Sequence, residues 1–64
     1  MGAEPNARIV RFSQGMPEGY RVEYDQGNEM YYWVRLHPYR VDGPYADRFH
    51  ARRDAIAHSK QPVQ

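Results

Sequence analysis

Residues 19–36 read GYRVEYDQGNEMYYWVRL, and this stretch decides the predicted fold. On both sides of its centre, one row of apolar side chains alternates with a second row that is charged before the centre and partly aromatic after it. This period-two pattern is typical of β-strands. The centre, Gln26-Gly27-Asn28, is a turn signal because it contains glycine beside polar residues. The stretch therefore predicts a β-hairpin.

The apolar pattern also predicts the register of this hairpin. A loop of three residues places Tyr24 opposite Met30, and one face then carries every apolar alternate. A two-residue loop would place Glu23 opposite Met30 and mix charges into the apolar row. We therefore predict the three-residue loop, in which Gly27 or Asn28 adopts a positive φ.

In this register the other hairpin face carries aromatic and arginine side chains. Tryptophan, tyrosine and arginine are the residues most enriched at the hot spots of interfaces. The alternative is an ordinary solvated sheet face, or one that the tails of the chain cover. Together with two arginines of the first strand region, the face predicts a partner-binding surface of Arg8, Arg11, Arg21, Tyr31, Trp33 and Arg35.

The rest of the chain completes the predicted fold. Residues 7–12 form a first strand, and segment 45–59 has helical periodicity with Tyr45, Phe49 and Ile56 near one line. We predict an α+β fold, a three-stranded antiparallel β-meander with one C-terminal α-helix packed on one face (β-β-β-α). Phe49 and Ile56 are expected to be buried against the apolar face, which comprises Val10, Phe12, Tyr20, Val22, Tyr24, Met30, Tyr32, Val34 and Leu36.

Two prolines bear on the region between the hairpin and the helix. Pro38 cannot donate to a sheet ladder, so residues 37–41 are expected at a sheet edge or in a loop. Pro44 is expected near the start of the helix. A rival interpretation ends a short strand at Phe49 and begins the helix near Ala51.

The length of 64 residues allows one small domain, and the chain has no cysteine and a formal net charge of +1. Disulfides and thiolate chemistry are therefore excluded, and the basic signature of a strong nucleic-acid binder is absent. We expect a disordered arm over residues 1–6, a domain over 7–60 and a disordered tail over 61–64. Without an apolar span or a signal-peptide pattern, a cytoplasmic location without membrane contact is expected.

Asp47, His50, Asp54 and His58 share one face of the predicted helix. Two histidines and two carboxylates are a possible zinc ligand set, but the same spacing gives ordinary surface pairs. We expect a solvated face, no metal and no cofactor. No serine or acid pair has the spacing of a catalytic triad, and so short a chain rarely encloses a water-excluding pocket, so we expect no enzyme.

Residues 30–36, MYYWVRL, resemble the aromatic strand of RNA-recognition motifs, whose exposed rings stack on bases. The chain departs from that pattern at Glu29-Met30, where a basic residue and glycine are usual, and at Tyr32, where a small residue is usual. The predicted element order is similar to the AP2 and integrase-arm DNA-binding folds, which bind DNA with the sheet face opposite the helix. These resemblances imply nucleic-acid binding through the sheet.

The sequence thus favours a non-enzymatic binding module, a regulatory, inhibitory or accessory protein that docks on a larger protein. Near-neutral charge favours a protein partner over nucleic acid. DNA or RNA binding through the same face is the alternative, and a structural homodimer that hides its aromatic face is a second one.

Overall fold

The computed structural model describes residues 8–61, so the expected arm over 1–6 and all but the first residue of the expected tail lie outside the described residues. The chain forms β1 (Ile9–Phe12), β2 (Tyr20–Asp25), β3 (Met30–Leu36), β4 (Tyr39–Tyr45) and α1 (Arg48–Ser59). The strands form one antiparallel sheet in the order β1-β2-β3-β4, and α1 packs on it. The α+β class with a C-terminal helix is confirmed, whereas the prediction of three strands is wrong.

The additional strand, β4, begins directly after Pro38 and lies at the sheet edge, one of the two positions predicted for residues 37–41. It continues through Gly43 and Pro44 because a bulge shifts its register with β3. Gly43 has a φ of 138°, and a Cβ at this position would lie 2.7 Å from Cδ2 of Tyr32. Pro44, which we expected near the start of the helix, instead lies inside the bulged strand, and the helix starts at Arg48.

The hairpin between β2 and β3 has a different register from the predicted one. Asp25, not Tyr24, pairs with Met30, so the loop contains four residues. A shift of one residue exchanges the two faces of one strand relative to the other. Val22 therefore lies directly across from Trp33, and both side chains are buried.

Asp25 explains the longer loop. Its carboxylate accepts a hydrogen bond from the backbone N–H of Gly27 at 2.8 Å, and its carbonyl accepts one from Glu29 at 2.7 Å. Aspartate favours turns because its side chain binds the backbone two residues on. The positive φ falls on Glu29, at 60°, and not on Gly27 or Asn28 as predicted. Local polar chemistry therefore sets the loop length.

The helix begins at Arg48, with Asp47 as its N-cap. The Asp47 carboxylate accepts a hydrogen bond from the backbone N–H of His50 at 2.9 Å and lies 2.8 Å from Nδ1 of the same residue. These hydrogen bonds, the backbone one first, hold the pKa of Asp47 below its ordinary value. Both predicted helix starts, at residue 45 and near Ala51, are wrong because capping by Asp47 determines the first turn.

Four residues of α1 face the sheet: Ala51, Asp54, Ala55 and His58. Their spacing of i, i+3, i+4 and i+7 defines one helix stripe. Both alanines are completely buried, while the aspartate and the histidine form hydrogen bonds with tyrosines of the sheet. His58 therefore packs on the sheet, contrary to the prediction of a solvated face, whereas the Asp54 side chain is still 45% exposed.

Phe49 is 70% exposed, so the prediction that it packs against the sheet is wrong. The sheet surface below α1 already carries the large indole of Trp33, whose ring centroid lies 4.9 Å from that of His58. Alanines let the helix approach this surface closely, and Phe49 is turned to the side. Ile56 is half-buried.

We expect Phe49→Ala to lower the free energy of unfolding by less than about 1 kcal/mol, because a mostly exposed side chain loses little burial. Urea denaturation followed by Trp33 fluorescence measures this difference. A cost of several kcal/mol would contradict the exposed position of Phe49.

Candidate functional site

The residues predicted to form one partner-binding surface lie on both faces of the sheet. Trp33 faces α1, and Tyr31 and Arg35 lie on the same side of β3 by strand alternation. Arg11 and Arg21 lie on the opposite face, and Arg8 precedes β1. The shift of the hairpin register separates them, so the prediction that they share one exposed face is wrong. Whether any of them binds a partner stays a prediction.

Trp33 is 3% exposed, so the prediction of an exposed ring is also wrong. Its centroid lies 5.8 Å from that of Tyr20, and its Nε1 donates a hydrogen bond to the Tyr45 hydroxyl at 3.1 Å. The Arg40 guanidinium lies 5.6 Å from the indole centroid, within the range of a cation–π contact. Trp33 is therefore the centre of the core between sheet and helix.

Hydrogen bonds from the helix stripe complete this core. The Tyr45 hydroxyl donates to Oδ2 of Asp54 at 2.8 Å, and the Tyr20 hydroxyl is 2.8 Å from Nδ1 of His58. Desolvation raises the pKa of Tyr45, and the hydrogen bond to Asp54 raises it further, so this hydroxyl stays protonated as a donor. The hydroxyls of Tyr20 and Tyr45 are thus paired with side chains of the helix.

Sequence reasoning missed the pairing of Asp54 and His58 with sheet tyrosines. The signal that could have found it is the position of both residues beside Ala51 and Ala55, in a chain rich in strand tyrosines. Among residues 8–61 no three histidines, aspartates or glutamates are grouped as a metal site would require. The absence of zinc stays a prediction.

The face of the sheet opposite α1, here called the outer face, has two halves of different chemistry. The half from β1 and β2 is mainly charged, and the half from β3 and β4 is mainly apolar. By register and strand alternation its members are Ile9, Arg11, Arg21, Glu23, Asp25, Met30, Tyr32, Val34, Leu36, Tyr39 and Val41.

The apolar half surrounds Val34, which is completely buried although it points away from the helix. Its neighbour across the strands, Val41, is 45% exposed, and Tyr39 beyond it is 68% exposed. Both belong to β4, at the sheet edge. A buried apolar centre therefore continues into an exposed apolar margin.

The charged half is organised around Glu23. Its Oε2 lies 2.7 Å from Nε of Arg21 and 3.5 Å from Nε of Arg11, so two guanidinium groups share one carboxylate. Arg8 forms its own ion pair, 2.8 Å from Oδ1 of Asp25. Arg11 is the more weakly paired of the two arginines at Glu23, and this half retains an excess positive charge.

Within the described part of the chain, α1 is too short and too polar to cross a membrane. Comparisons of the chain with protein-family models, with curated proteins and with solved structures found no match.

Proposed function

We propose that the chain is a small non-enzymatic binding module that docks on a larger protein through its outer face. The observation that carries the proposal is the exposed pair Tyr39 and Val41, which extends the buried position of Val34 to the sheet edge. The outer strands of a half-covered antiparallel sheet normally present polar residues to water. An apolar margin in this place indicates an interaction surface, and tyrosine is a frequent hot-spot residue.

The charges predict the chemistry of the partner surface. Arg11 is half-exposed and lies 3.5 Å from Glu23, so its guanidinium has donors free for a second carboxylate. The partner therefore offers an apolar patch that covers Tyr39 and Val41, with an acidic group on the side that meets Arg11. Charge complementarity of this kind fixes orientation and partner choice more than affinity.

A protein partner is favoured over nucleic acid at this face. Arg8, Arg11 and Arg21 all lie beside carboxylates, at 2.8, 3.5 and 2.7 Å. A phosphate would have to compete with those carboxylates, whereas nucleic-acid affinity depends on phosphate neutralisation by free cations. The exposed residues of the apolar half, Tyr39 and Val41, carry no charge that could neutralise a phosphate.

The proposal predicts selective crosslinking. A photo-reactive residue at position 41 is expected to crosslink to one larger protein in cells that make the chain, and Tyr39→Asp is expected to abolish the product. The matched control carries the same photo-reactive residue at position 57, an exposed position of α1. Mass spectrometry of the crosslinked species identifies the partner.

Three results would contradict the proposal. Equal products from positions 41 and 57 would show no preference for the outer face. A product removed by nuclease would support the nucleic-acid alternative. A product of two copies of this chain, with a dimer in sedimentation velocity, would support the homodimer. Circular dichroism of each variant verifies that it is folded.

A further inference from the structure

A groove of about 450 Å³ lies on the helix side of the sheet, at the edge formed by β1. The connection between β1 and β2 forms one wall, and the first half of α1 forms the other. Phe12, Met16 and Val22 supply apolar lining, and Phe49 supplies an aromatic rim. Its volume falls in the range of about 300–1,000 Å³ that is typical of ligand pockets.

The charge of the groove is entirely positive, because no aspartate or glutamate lines it. Arg48 and Arg52 supply the charge, and neither forms an ion pair within residues 8–61. Arg11 also lines the groove, but its Nε is directed to Glu23. The groove therefore has two arginines available to an anion.

Each arginine has a contact with the wall or rim of the groove. The Arg48 guanidinium lies 5.3 Å from the Phe12 centroid and 5.7 Å from the Phe49 centroid, so two rings hold it by cation–π contacts. Nη2 of Arg52 is 3.4 Å from the carbonyl of Gly15, across the groove. The spacing of i and i+4 makes the two guanidinium groups neighbours on the helix.

This arrangement also accounts for the exposure of Phe49. Its ring forms the outer edge of the groove beside Arg48, so an apolar side chain entering there would cover it. A ligand with an anion and an adjacent apolar group would thus pair the two arginines and cover the exposed Phe49 ring, neither of which the fold itself does. Association with such a ligand would bury the ring and pair the cations.

We propose that the groove binds a short peptide segment of another protein in which an acidic side chain stands next to an aromatic or aliphatic one. The carboxylate lies between Arg48 and Arg52, and the apolar side chain packs on Phe12 and Phe49. A peptide is favoured over nucleic acid because two free arginines in a compact groove do not form the continuous track that a phosphate backbone follows. The inference goes beyond the proposed docking of the outer face and does not depend on it.

The test selects ligands from a display library of random seven-residue peptides on the folded full-length chain. Enriched peptides are expected to pair aspartate or glutamate with phenylalanine, tyrosine, tryptophan or leucine. In fluorescence anisotropy, Arg52→Gln is expected to weaken such a peptide about ten-fold or more, because a charge-assisted contact is lost. Phe49→Ala is expected to weaken it as well.

Arg53→Gln is the matched control. Arg53 is adjacent on the same helix, but it lies beside Asp54 and outside the groove, so affinity is expected to be unchanged. Val41→Asp, on the outer face, is also expected to leave affinity unchanged, so this test and that of the proposed function can fail separately.

Four results would overturn the inference. The library could enrich nothing, or only neutral peptides. Arg53→Gln could weaken binding as much as Arg52→Gln, which would indicate general attraction of charge. An oligonucleotide could bind more tightly than the enriched peptides and depend on Arg52, which would identify the groove as a nucleic-acid site.

Discussion

Replacement of Trp33 by alanine is expected to unfold most of the protein. Truncation of a buried tryptophan costs about 3–5 kcal/mol through lost burial and the cavity that remains. A domain of this size has a total stability of about 3–10 kcal/mol. The substitution also removes the ring contacts to Tyr20 and His58 and the donor to Tyr45. Urea denaturation followed by far-ultraviolet circular dichroism measures the effect without the lost fluorophore.

The Trp33→Phe variant distinguishes the contribution of the buried aromatic ring from that of the indole N–H donor. Phenylalanine keeps an aromatic ring in the core, and the Tyr45 hydroxyl keeps its hydrogen bond to Asp54, so a cost of about 1–2 kcal/mol is expected. Tyr39→Ala, at a mostly exposed position, is expected to cost less than about 1 kcal/mol. A Trp33→Ala variant with the wild-type midpoint would contradict the buried position of the indole.

Replacement of Gly43 by alanine is expected to lower the free energy of unfolding by about 2–6 kcal/mol. The φ of 138° is a conformation that side chains rarely adopt, and such strain costs about 1–3 kcal/mol. The added Cβ would also meet Cδ2 of Tyr32 at 2.7 Å and the carbonyl oxygen of Tyr31 at 3.0 Å. Overpacking of this kind costs about 1–3 kcal/mol. Thermal and urea denaturation measure the combined cost of backbone strain and overpacking.

Gly19→Ala is the matched control for this prediction. Gly19 also has a positive φ, of 83°, but no atom of the described residues lies within 4 Å of the added Cβ. Only the backbone term, about 1–2 kcal/mol, is expected. Equal costs at both glycines would show that β4 shifts to accommodate the methyl group, so the close approach of Tyr32 would not be a reason for glycine at position 43.

The proposed surfaces were only partly accessible to sequence reasoning. The abundance of tyrosine, tryptophan and arginine indicated a binding role, but composition does not assign a side chain to a face. Trp33, predicted to be exposed, is buried in the core because the register differs from the predicted one, and Arg11 and Arg21 lie on the opposite, outer face. Tyr39 and Val41 could not be assigned because β4 depends on a bulge at Gly43, which no local pattern predicts.

The sequence by itself determined the class of the fold and the strands of the hairpin. Alternation on either side of the turn predicted β2 and β3, and helical spacing predicted a C-terminal helix. Pro38 restricted residues 37–41 to a sheet edge or a loop, and β4 lies at the edge. These features follow from the periodicity of the backbone and from the chemistry of single residues, which act over a few positions.

Only the tertiary structure decided which faces meet. Both faces of β3 are apolar, with Tyr31 and Trp33 on one and Tyr32 and Val34 on the other, so the apolar pattern could not select between them. Asp25 decided the loop length, and the loop then brought Trp33 under the helix. A bulky indole leaves room for alanine rather than phenylalanine above it. The helix therefore packs through its small and polar stripe, and its largest apolar side chain, Phe49, remains exposed beside the groove.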